Sequence, residues 1–196
     1  MKLPIRNRTS DPLTLFIEPY CDQHEIPPGG DAIVTLADME PRSLDFHPEN
    51  WVSLWDEGAN EAIVEVITKE QNVVIDALAF ARRWLYRFGG RGEAAAKDLD
   101  AAVEREEKII GYVRARFTAY QAFRDGFRSK EAQSDGAVLP QWTGSKALAA
   151  AYRAGGAAAY FNQRTRCEPA LIDLGEPPFD TDVARRTFDE ADAVIG

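Results

Sequence analysis

The hydrophobic pattern of this chain changes its period once, near Gln71, and that change constrains the fold more than any other feature. Before it, apolar and polar residues alternate in short runs: "LPIRNRT", "LTLFIEP", "QHEIPPGGDAIVTL", "SLDF", "WVSLW" and "EAIVEVI". Runs rich in Val, Ile, Thr and aromatics, separated by Pro, Gly, Asn and Asp, are strands joined by turns. A period of two buries one face of each strand. Six or seven short strands at about ten-residue spacing predict a small antiparallel β-sandwich or barrel over residues 1–70.

After Gln71 the period is helical. Val74, Leu78, Ala81, Leu85 and Phe88 step by four and three and form one apolar stripe. "GGRG", Gly89 to Gly92, ends that helix. A second helical pattern runs from about Glu93 to Phe127. Its stripe is Leu99, Val103, Ile110, Val113, Phe117, Tyr120 and Phe127, interrupted by Glu106 and Arg124. An unbroken helix of some 35 residues would span on the order of 50 Å. Such a helix must break, protrude or pair, and Gly111 is its weakest point, about 1 kcal/mol worse than Ala. "SKALAAAYRAGGAAAYFNQ" predicts a third helix, capped by Thr143 or Ser145, whose alanines and glycines allow close approach to a neighbour. After the extended, Pro-rich "EPALIDLGEPPF", Asp180 or Thr181 caps a last helix through Val183, Phe188, Ala191 and Val194. The fold class expected is α+β. The organisation expected is a β module (1–70), an amphipathic helical hairpin (71–130), and a segment (131–196) holding the Ala-rich helix, the extended stretch and the C-terminal helix.

Charge follows the same division. The net charge is −9, and residues 1–70 carry 5 Lys/Arg against 14 Asp/Glu, whereas residues 71–196 carry 18 of each. The acidic module disfavours nucleic acid on its surface. Residues 82–130 hold 12 basic and 7 acidic side chains, but their arginines fall at different heights of the hairpin and no nucleic-acid motif accompanies them. No apolar run approaches the roughly 18 residues of a membrane span. "MKLPIRNRTSDP" lacks the apolar core of a signal peptide, so a cytoplasmic chain, or one inside an assembled particle, is expected.

"EPYCDQHEIPPGG", Glu18 to Gly30, gathers Cys21, Asp22, His24 and Glu25, all residue types that bind metals. Alternation along a strand places Asp22 and His24 on one face and Cys21 and Glu25 on the other. His47 in "DFHPEN" would be a further ligand only if its strand lay alongside. A zinc site needs three or four ligands at workable spacing, and no second Cys pair or His-x-x-x-His is present. The stretch therefore reads as a polar hairpin corner turning at Pro27-Pro28-Gly29-Gly30, with no metal. "GGRGE" follows a helix, whereas phosphate-cradling loops follow a strand. "TGSK" lacks the spacing of a nucleotide-binding loop. The only histidines are His24 and His47, and no Gly-x-Ser-x-Gly occurs.

"NRTSDPLTLFIEPYCDQHEIPPGG" resembles the opening of small uncharacterised bacterial β proteins with the pattern Asn-x-Thr-x-x-Pro-Leu-x-Leu-x-x-Glu-Pro, then an acidic residue, then Pro-Pro-Gly. The resemblance covers roughly the first 70 residues and implies a compact β module without a known activity. This chain carries Cys21 where the pattern leads one to expect Gly.

These readings converge on a non-enzymatic structural or interaction protein, without catalytic residues, cofactor, metal or small-molecule substrate. Its expected partner is another protein or a second copy of the chain. A phage or phage-like particle component, of connector or decoration type, is one concrete form. The alternative is an acidic, immunity-type protein that neutralises a basic partner, and the third is an enzyme of unknown reaction. Val113, Phe117, Tyr120 and Phe127 are the interface candidates, because the first helix is too short to cover the whole second stripe. The later helices of the same chain, or a neighbouring chain, must cover the remainder.

Overall fold

In a computed structural model the described residues are 1–36, 42–56, 62–131, 137–167 and 181–195. The chain is α+β, with the strands first and the helices after them. It divides into two compact units, Met1–Asn72 and Val73–Gly196. The "DEGAN" turn beyond Asp56, most of the 131–139 loop and the Pro-rich stretch before the last helix lie outside the described residues.

The first unit holds seven strands: β1 (Lys2–Arg6), β2 (Leu13–Glu18), β3 (Asp22–Ile26), β4 (Asp31–Thr35), β5 (Arg42–His47), β6 (Trp51–Asp56) and β7 (Ile63–Ile67). They form a three-stranded sheet in the order β1-β4-β7 and a four-stranded sheet in the order β3-β2-β6-β5. Alternation decides which side chains enter the core. Ile5, Ala32 and Val34 of the first sheet share one apolar cluster with Leu15, Ile17, Ile26, Val52 and Leu54 of the second.

Two details differ from the sequence expectation. The unit is not wholly antiparallel, because β2 and β6 pair in parallel, with Leu15 beside Val52 and Ile17 beside Leu54. A parallel pair needs a long return connection, and β3, β4 and β5 supply it. The Pro-Pro-Gly-Gly stretch does not close a hairpin. β3 and β4 belong to different sheets, so Pro27 to Gly30 carries the chain from one sheet to the other.

That corner is tied by Asn7, which is 1% exposed. Its side-chain amide donates to the carbonyls of Asp11 (2.8 Å) and Ile26 (2.9 Å), and its Oδ1 accepts from the backbone N–H (2.9 Å) and hydroxyl (2.7 Å) of Thr9. Its backbone N–H donates to Gly30 O, and its carbonyl accepts from Gly29 N–H. Gly30 has no room for a side chain, since a Cβ there would stand 2.6 Å from Ile67 O. The Asn-x-Thr and Pro-Pro-Gly-Gly residues thus carry the joint between the sheets.

The helices are α1 (Lys69–Arg87), α2 (Gly90–Ile110), α3 (Tyr112–Glu131), the single turn α4 (Pro140–Thr143), α5 (Lys146–Cys167) and α6 (Thr181–Ile195). α1 starts two residues before the expected point because Thr68 and Gln71 form a capping box. Gln71 N–H donates to Thr68 Oγ1 (3.3 Å), and Thr68 N–H donates to Gln71 Oε1 (2.9 Å). The long second stripe breaks at Gly111, whose φ of 86° lies in the left-handed region that glycine tolerates. One apolar cluster draws on α1, α2, α3, α5 and α6, so the hairpin and the later helices share a core.

Both polar interruptions of the second stripe have partners. Glu106, 8% exposed, accepts a hydrogen bond from Ser145 Oγ at 2.8 Å. Ser145 also accepts from Leu148 N–H and so caps α5. Arg124 donates through Nε to Asp192 Oδ2 on α6 at 2.9 Å.

Candidate functional site

The residues of "EPYCDQHEIPPGG" do not assemble. Asp22 and His24 share a face of β3, as alternation requires, and His24 Nε2 lies 2.8 Å from Asp22 Oδ2. Cys21 is exposed in the turn at φ 55°, a left-handed conformation that a glycine would adopt without strain. Its thiol sits 3.6 Å from Glu18 Oε2, and the charge and hydrogen bond of that carboxylate push the thiol's pKa up, away from thiolate chemistry. His47 is remote from this group. β3 and β5 are the two outer strands of the four-stranded sheet, and His47 points to the opposite face. Among the described residues, no group of three His, Cys, Asp or Glu side chains is placed to hold a metal ion.

The interface candidates are divided by burial. Tyr120 and Phe127 are 0% and 4% exposed, inside the helical core. Phe188 of α6 fills the space between them, with ring centroids 6.3 Å from Tyr120, 6.1 Å from Phe123 and 5.7 Å from Phe127. The Tyr120 hydroxyl is 3.3 Å from Phe188 O and 3.2 Å from Asp192 Oδ1, placed to donate to either. Burial, reinforced by the negative charge of Asp192, raises the Tyr120 pKa well above its ordinary value. Phe117 is half-buried against the same cluster and Val113 is half-exposed. The later helices therefore cover most of the stripe within the chain.

Four arginines of the hairpin are paired with carboxylates. Arg82 meets Asp100 at 2.6 Å, Arg116 meets Glu107 at 2.9 Å and stacks over Tyr112, and Arg124 and Arg128 both reach Asp192. A groove of about 550 Å³ on the helical unit is lined by Arg124, Arg128, Asp125, Asp192 and Trp142. Its polar groups serve each other, since Asp125 accepts from Trp142 Nε1 at 2.9 Å and from Gln141 Nε2 at 3.1 Å.

A surface that sequence reasoning missed lies on the four-stranded sheet, on the face away from the apolar cluster. Register places its residues in three rows across the strands. The first row runs Glu25, Thr14, Trp51, His47; the second Gln23, Phe16, Ser53, Asp45; the third Glu18, Trp55, Ser43. His47 stacks on Trp51 with centroids 3.3 Å apart and planes 5° from parallel, and Phe16 meets Trp51 edge-on at 5.3 Å. His47 Nε2 lies 3.1 Å from Ser53 Oγ, which orients the ring. Trp55 is 43% exposed. The signal was present in "LTLFIEP" and "WVSLW", where the outward positions include the aromatics Phe16, Trp51 and Trp55. Only strand order could show that they meet.

No protein-family model, curated protein or solved structure matches this chain. Among the described residues, no helix is long and apolar enough to cross a membrane.

Proposed function

We propose that this protein is a non-enzymatic interaction protein, a component of a larger protein assembly, and that its first unit is a small β-sandwich serving as the binding module. The observation that carries this reading is the outward aromatic face of the four-stranded sheet. Rings on the solvent side of a sheet keep apolar surface in water until a partner covers it, and buried aromatic rings contribute most to interfaces. Trp55, Trp51, Phe16 and His47 lie together on a scaffold of hydrogen-bonded strands, which holds them in place before binding and limits the ordering cost. A connector or decoration component of a phage-like particle is a concrete form of this role.

The second reading, an acidic neutralising protein of the immunity type, is supported by the carboxylates that accompany those rings, Glu18, Glu25 and Asp45. It differs from the first in expecting a single basic partner and binding that weakens with salt.

The test is co-expression of the chain with the products of adjacent genes, followed by purification and light scattering. A stoichiometric complex heavier than the 21.8 kDa chain, lost on Trp55→Ala, is the expected result. A lone chain under all these conditions would overturn the reading.

A further inference from the structure

We infer that the outward face of the four-stranded sheet is a docking site for an extended, arginine-bearing polypeptide segment, an inference that rests on the interaction role proposed above. Each of its three rows pairs aromatic surface with a carboxylate. Glu25 shares a row with Trp51 and His47, Asp45 shares one with Phe16, and Glu18 lies beside Trp55. None of the outward positions in these rows carries Lys or Arg. At Glu18 and Trp55, on adjacent strands, the face joins the two groups that a guanidinium satisfies at once, an aromatic ring to stack on and a carboxylate to receive its planar fork of N–H donors; in the other two rows one residue, Thr14 or Ser53, stands between ring and carboxylate. A lysine ammonium has the charge but neither the plane nor the fork.

The spacing of the rows defines the shape of the occupant. Successive rows are two residues apart along a strand, roughly 6.6 Å. An extended peptide presents every second side chain on one side at the same interval. Arginines at alternate positions would therefore meet successive rows, whereas a helical segment would not hold that register. The acidic surplus of residues 1–70 would speed the approach of such a segment.

The experiment is titration calorimetry of the full-length chain at about 50 mM salt with three capped peptides: Arg-Ser repeated three times, Lys-Ser repeated three times, and Gln-Ser repeated three times. The arginine peptide is expected to bind several-fold tighter than the lysine peptide, and the glutamine peptide not at all. Trp55→Ala is expected to weaken the arginine peptide about tenfold, the order of a desolvated cation–π contact. Glu25→Gln and Asp45→Asn, on exposed side chains whose replacement leaves the core untouched, should each weaken it with no change in thermal midpoint. Equal binding of the arginine and lysine peptides, unaffected by these substitutions, would mean diffuse attraction to an acidic surface and would overturn the inference. Absence of cationic-peptide binding, with the co-expressed complex still lost on Trp55→Ala, would overturn the arginine assignment and leave the interaction role standing. Face-dependent arginine binding without any such complex would do the reverse.

Discussion

Gly155 on α5 lies so close to Phe123 on α3 that a Cβ at Gly155 would stand 1.8 Å from the Phe123 carbonyl oxygen. The relationship is reciprocal one turn along, where a Cβ at Gly126 would stand 1.9 Å from Tyr152 O. Two backbones meet at these points, so neither neighbour can move aside as a flexible side chain would. The helices approach closely because both lack a side chain at the crossing.

Gly155→Ala and Gly126→Ala are each expected to destabilise the chain by about 2 kcal/mol or more, through forced separation of α3 and α5. Gly156→Ala is the control. Its Cβ would meet nothing nearer than Gly126 O at 3.8 Å, and a helical Gly-to-Ala change there should be neutral or stabilising by up to about 1 kcal/mol. Urea unfolding of the three variants measures the contrast, and similar midpoints for all three would refute the close-contact account.

Asn7→Ala removes the two hydrogen bonds its amide donates to the carbonyls of Asp11 and Ile26 and the two its Oδ1 accepts from Thr9, at a buried site. A loss of at least about 2 kcal/mol is expected. Asn7→Asp should be no better, because a carboxylate cannot donate to those two carbonyls. Chemical denaturation of both variants tests this, and a shift below a few tenths of a kcal/mol for either would count against it.

Cys21→Val is expected to destabilise by about 1 kcal/mol, since a β-branched side chain fits the left-handed backbone at φ 55° poorly. Cys21→Gly should be tolerated, relief of the backbone offsetting the freedom that glycine gains in the unfolded chain. Thermal midpoints of the pair decide it. Equal losses for Val and Gly would point instead to the thiol's contact with Glu18.

Tyr120 makes stability depend on alkaline pH. Its phenol is held protonated in the folded state above its ordinary pKa, first by burial and then by Asp192. The unfolded chain releases that proton near pH 10, so it binds fewer protons than the folded chain above that point. Stability is fully present below about pH 10 and is lost as pH rises further, by up to about 1.4 kcal/mol per unit. Tyr120→Phe should be less stable at neutral pH, from loss of the hydrogen bond its hydroxyl donates to Phe188 O or Asp192 Oδ1, and should show a shallower decline above pH 10. Parallel stability curves for the two proteins between pH 8 and 12 would exclude this role.

Periodicity alone divided the chain into strands and helices, and Gly111 and Gly89 marked the helix ends, because both signals are local. A side chain's face and a backbone's φ preference depend on its nearest neighbours in sequence. The alternation in "LTLFIEP" and "WVSLW" even placed Phe16, Trp51 and Trp55 on one side of their strands. What periodicity cannot state is which strands lie together. The parallel β2–β6 pair, the corner at Pro27 to Gly30 and the separation of His24 from His47 all follow from long-range hydrogen bonding. The same holds in the helices. Glu106 and Arg124 look like defects in an apolar stripe until Ser145 and Asp192 arrive from distant segments. Phe117, Tyr120 and Phe127 look like an open stripe until α5 and α6 fold across it. Burial of an element is set by whatever packs on it, and for this chain the packing partners come from far along the sequence. The acidic aromatic face is likewise a product of strand order, since its three rows exist only where β3, β2, β6 and β5 stand side by side.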